Sequence, residues 1–168
     1  AQTFFEHPFE SLETDPVQTS GFFPQSSARL DDDVKMQELI KNLGSKSYMK
    51  RWHAAEDLGS YPKALPALLE KLPKANLDLT LFLCKALAQI KDKRAIGPLL
   101  AKWKAGQKGT PGVRYIPDAL AAIGDRSVVP HLVAALPKVR FDVRFHVAHA
   151  LGILGGEEAE DALEDLAK

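Results

Sequence analysis

Cysteine is almost absent from this 168-residue chain, which has only Cys84. One thiol excludes an internal disulfide and a cysteine-based metal cage. No apolar run approaches the ~18–20 residues needed to cross a bilayer as a helix. Strand signals are missing too, since no alternating β-branched run is bounded by hairpin turns. Without a strand to follow, no glycine-rich loop can serve as a phosphate cradle. The stretch Gly106-QKGTP-Gly112 has Lys104 and Lys108 nearby but lacks that spacing. Cys84 falls where equivalent segments carry Ala55, Pro117 and Ala148, a packing position, so nucleophilic catalysis finds no support. No catalytic residue and no cofactor is expected.

Net charge is also missing, with 22 basic and 22 acidic residues, but the balance hides a pattern. Residues 1–33 hold seven acids and one base, a net of −6. Residues 34–156 hold twenty bases and nine acids, a net of +11, and residues 157–168 return to −5. A basic body between acidic ends is either a solvated surface or a footprint for an anionic partner. The chain opens on Ala1 rather than Met, which suits a processed, exported protein or a segment of a longer one.

What is present is a repeat. Four segments align: Arg51-WHAAEDLGSY-Pro62, Thr80-LFLCKALAQI-Lys91, Val113-RYIPDALAAI-Gly124 and Arg144-FHVAHALGIL-Gly155. Each holds a leucine at the same place, Leu58, Leu87, Leu120 and Leu151, spaced by 29, 33 and 31 residues. Between them runs a second ladder, Leu68, Leu99, Leu132 and Leu163, spaced by 31, 33 and 31. An earlier copy runs through Val34-KMQELIKNL. Two ladders sharing one period of 20–50 residues indicate stacked supersecondary units.

Both segment types read as helix, because apolar residues recur at three- and four-residue steps, as in Leu65, Leu68, Leu69 and Leu72. Alanines such as Ala54, Ala86, Ala119, Ala148 and Ala150 allow close approach between helices. Pro66, Pro98 and Pro130 fall near helix starts, where a missing N–H costs little. Pro117 falls inside a segment and predicts a kink or a late start. The expected fold is therefore all-α, an α-solenoid of about four to five antiparallel helix pairs. Its expected divisions are 32–62, 63–93, 94–126, 127–156 and a terminal helix 157–168. Residues 1–31 carry five phenylalanines and no helical period, and read as an irregular arm.

The helix pair, the period and the pattern Asp142-VRFHVAHALGILG-Gly156, matched by Arg51-WHAAEDLG, resemble HEAT-like repeats of the short subtype also found in phycobilin lyases. The resemblance covers residues 32–168. Thr80 and Val113 stand where the repeated arginine belongs, so the middle copies are degenerate. It implies a superhelix whose second helices line a concave face, with Arg51 and Arg144 in a structural role. The expected function is a non-catalytic scaffold that binds a protein or peptide partner on that face, and the chain is expected to be monomeric and without a membrane span. Nucleic-acid or other polyanion binding through the basic body is the alternative, and a chromophore-lyase role rests on the subtype alone.

On such a frame the positions five and six before each ladder leucine lean to the concave side. They are Trp52 and His53, Leu81 and Phe82, Arg114 and Tyr115, Phe145 and His146; the next turn adds Glu56, Lys85, Asp118 and His149. An aromatic or imidazole at one height in every repeat predicts a binding row, since Trp, Tyr and Arg dominate interface hot spots. The plain alternative is that the rings fill gaps between repeats. The expected contact residues are Trp52, His53, Phe82, Lys85, Arg114, Tyr115, Phe145, His146 and His149. His146 and His149 share a helix face, but Trp-His and Phe-His replace the His-Glu dipeptides of a HEAT-like di-iron family. No metal site is expected. Asp78 and Asp142, just ahead of second helices, are expected to cap them.

Overall fold

The computed structural model describes residues 25–106 and 112–168. Among these there are nine α-helices and no strand. They are α1 (Gln25–Asn42), α2 (Tyr48–Leu58), α3 (Leu65–Lys71), α4 (Leu77–Ile90), α5 (Ile96–Gly106), α6 (Ile116–Ile123), α7 (Val129–Val133), α8 (Phe141–Leu154) and α9 (Glu157–Leu166). The helices form pairs, α1 with α2, α3 with α4, α5 with α6 and α7 with α8, and α9 packs on both α7 and α8. The second helices also stack directly, α2 on α4, α4 on α6 and α6 on α8. Each pair thus buries its apolar face against the next, the nearest-neighbour logic of a solenoid.

The leucine ladders form the spine of the core. Leu58, Leu87, Leu120 and Leu151 are buried, as are Leu68, Leu99 and Leu132, while Leu163 is half-buried. Ala54, Ala86, Ala119 and Ala150, all on second helices, are buried as well. At ~25 cal/mol per Å2 of apolar surface removed from water, each fully buried leucine contributes about 1.5–3 kcal/mol.

Local chemistry explains where the helices begin. Short 3-10 turns at Pro62–Ala64, Lys93–Ala95 and Arg126–Val128 lead into α3, α5 and α7. Asp92 and Asp125 open the latter two turns, their carboxylates accepting the backbone N–H of Arg94 at 2.8 Å and of Ser127 at 3.0 Å. The Arg94 side chain bonded to Asp92, and the Ser127 backbone N–H bonded to Asp125, hold both carboxyls down at about 2. Pro117 acts as its position predicts. Residues Val113–Tyr115 form a 3-10 turn, and α6 starts late, with the proline in its first turn. Gly112 makes that turn possible. Its φ is +97°, and a Cβ there would sit 3.1 Å from backbone atoms of Leu77 in α4.

Some expectations are corrected. Helix α4 is capped by Asn76, whose side chain accepts the Leu79 N–H at 2.9 Å, and not by Asp78. Helix α8 has no side-chain cap; Asp142 lies in its first turn, paired with Arg140 at 3.3 Å. Each acid sits inside the helix, too late to reach the free N–H groups from the cap position. Helix α1 begins at Gln25, ahead of the arm boundary expected at 31; the rest of that arm, residues 1–24, lies outside the described residues.

Candidate functional site

The second helices set the row side chains in two clusters and one open face. The first cluster joins α2 to α4. Arg51 donates to the Ser45 and Lys46 carbonyls at 2.8 and 3.1 Å, and to Asp78 on α4 at 3.0 Å. Phe82 of α4 lies under it, edge-on to Tyr48 at 5.3 Å and to Trp52 at 6.4 Å. Lys85 sits over the Trp52 ring at 3.5 Å and pairs with Glu56 at 3.3 Å. Phe82 is 0% exposed, which removes it from any contact surface. Its ring faces the preceding helix rather than solvent, because a residue five before the ladder leucine points at the earlier repeat. Trp52 and Lys85 are half-buried and already engage each other; His53 is exposed.

The second cluster joins α6 to α8. Asp118 accepts from Nδ1 of His146 at 2.6 Å and of His149 at 3.1 Å. Tyr115 stands edge-on to His146 at 5.8 Å and accepts from Arg114 at 2.9 Å. One carboxylate thus anchors two imidazoles on the neighbouring helix, which fixes both rings. Phe145 stacks on His149, with ring planes 4° apart and centroids 6.3 Å apart. Arg114, Tyr115 and His146 are half-buried, and His149 is exposed. The sequence placed Asp118 beside this row without assigning it the linking role.

The open face belongs to α8. Phe145 is 70% exposed and Phe141, one turn earlier, is 86% exposed, with Ile153 exposed further along. Phe141 was not among the expected contact residues. Its signal was the four-residue step to Phe145 on one helix face.

Cys84 is buried, and burial pushes its thiol up to about 12, leaving it an inert packing group. Among the described residues, no three His, Cys, Asp or Glu side chains are grouped to hold a metal ion, and no helix is long and apolar enough to cross a membrane.

The family profile for HEAT repeats matches residues 114–168, the segment that holds α6 to α9. No curated protein matches the chain. The pairs before residue 114 share their ladder leucines, helix order and stacking with the matched ones, so the described residues form one all-α helical-repeat solenoid whose segment 114–168 is similar to HEAT repeats.

Proposed function

We propose that this chain is a non-catalytic module that binds a partner protein or peptide through its second-helix row. HEAT repeats generally mediate protein–protein contacts. The observation that carries the reading is Phe145, a large ring left 70% exposed in the row, braced by His149 and His146. Exposed aromatics held rigid lose little entropy on binding, which is why such rings serve as anchors. The contact surface comprises His53, Arg114, Tyr115, Phe145, His146 and His149, with Trp52 and Lys85 at its edge. Phe82 supports it from beneath.

Polyanion binding has less support. Arg51, Lys63, Lys85, Lys93, Arg94 and Arg140, six of the twenty basic residues at 34–156, each face a carboxylate and so present less free charge to a polyanion. Affinity capture from the native source, followed by titration of the purified partner, tests the reading. Binding to duplex or single-stranded DNA with a steep salt slope, and to no protein, would replace it with the polyanion alternative.

A further inference from the structure

The repeat itself shows what belongs on the exposed face of α8. Tyr48, Arg51 and Trp52 on α2 occupy the same repeat positions as Phe141, Arg144 and Phe145 on α8. On α2 those three side chains pack against α4, which leaves Arg51 and Trp52 half-buried and Tyr48 46% exposed. Phe82 fills the space beside Tyr48 and Trp52, and Asp78 meets Arg51. On α8 Arg144 is half-buried, but both phenylalanines stand more exposed than their counterparts on α2, Phe141 at 86% and Phe145 at 70%.

Arg144 gives an independent sign of the same vacancy. Like Arg51, it donates to a carbonyl of the preceding loop, here Val139 at 3.3 Å, the equivalent of Lys46. Unlike Arg51 it meets no carboxylate among the described residues, and its buried Nε has no hydrogen-bond partner among them. A buried guanidinium N–H without an acceptor is costly, and a carboxylate at the equivalent of Asp78 would relieve it. Helix α9 extends the surface. It lies beside α8, and its Ala162 and Leu163 are only half-buried, with Leu166 exposed. A helix laid against α8 and α9 would repeat the way α4 lies against α2 and α3.

We infer that the face of α8 bearing Phe141, Arg144 and Phe145 is a seat for one amphipathic helix of a partner protein, with an acid in its first turn and an aromatic ring four residues on. The stacking of second helices already built from α2 to α8 continues onto this face, and that continuity sets both the orientation and the chemistry of the occupant. Helix-in-groove recognition uses apolar anchors at such spacings. The inference rests on the partner-binding reading and narrows it to one seat and one class of partner.

The probe is a fluorescein-labelled peptide of this chain's residues 76–91 with Cys84→Ala, which carries the acid and the ring at the required spacing. Its binding to the full chain is followed by fluorescence anisotropy, against a scrambled peptide of equal composition. The seat requires saturable binding that weakens about tenfold or more in the Phe141→Ala, Phe145→Ala double variant. Both rings are exposed, so the variant keeps its fold, and circular dichroism verifies it. Asp78→Ala in the peptide should weaken binding to the unaltered protein and have no effect on binding to Arg144→Ala, the mark of a direct pair. Absence of saturable binding, equal affinity for the double variant, or equal binding of the scrambled peptide would overturn the seat. So would a dimer in sedimentation that Phe145→Ala abolishes, since a second copy would then be the occupant. A native partner that depends on His53 and Tyr115 but ignores Phe141→Ala and Phe145→Ala would overturn the seat and leave the partner-binding reading standing.

Discussion

Replacing phenylalanine by alanine at two row positions separates packing from recognition. Phe82 is fully buried between Tyr48, Trp52 and Arg51, so Phe82→Ala removes a ring with partners on every side. Core Phe→Ala changes cost about 3–5 kcal/mol, from lost transfer energy and the cavity left behind. The site lies between α2 and α4, so the loss acts on the interface joining two repeats. At roughly 2–4 °C per kcal/mol for a domain of this size, the melting midpoint should fall by about 6–20 °C. Phe145→Ala removes the same ring from a largely exposed position and should stay within about 0.5 kcal/mol of the unaltered protein. Thermal melts followed by circular dichroism measure both. Equal midpoints, or a larger fall for Phe145→Ala, would mean that the burial of the row is misassigned.

Three further outcomes follow from the structure. Arg51→Ala should cost roughly 1.5–3 kcal/mol, because it removes charge-assisted bonds tying the α1–α2 loop to α4; an unchanged denaturation midpoint would count against it. Gly112→Ala should destabilise by more than about 1 kcal/mol in the same assay, since alanine meets the α4 backbone at a positive φ; an unchanged midpoint would show that the turn can relax. Asp92 and Asp125 should titrate at about 2 when followed by carboxylate carbon shifts in NMR. Their folded pKa values lie below the unfolded value, so their contribution is present above pH ~4 and is lost as pH falls toward about 2. Midpoints near the ordinary carboxylate value would show that the two turn caps are open in solution.

The architecture was readable because solenoid cores repeat. A leucine needed at one place in each pair recurs in the chain, and Leu58, Leu87, Leu120 and Leu151 are all fully buried. The late start of α6 was readable from Pro117, since proline cannot give the N–H that a helix interior requires. Register around the helix axis was harder to read. Phe82 and His53 share a repeat position, yet one is buried and the other exposed. Position in the array decides this, because Phe82 has a preceding second helix to pack on. An apolar run such as LTLFLCKAL around Phe82 carried that signal. The caps were misplaced because Asn76 and Asp78 are both good acceptors within one turn, and only backbone geometry chooses between them. The linking role of Asp118 depends on two side chains from another helix, which sequence spacing does not bring together.

The central claim is that this repeat protein recognises a partner through the row on its second helices. The direct measurement is calorimetric titration of the purified native partner against the unaltered chain, Phe145→Ala, Tyr115→Ala and, from the first-helix layer, Lys71→Ala. Loss of an aromatic anchor should weaken binding by roughly thirtyfold, about 2 kcal/mol, while Lys71→Ala leaves affinity unchanged. Unchanged affinity for Phe145→Ala and Tyr115→Ala together with a loss for Lys71→Ala would place the interface on the opposite layer and contradict the account.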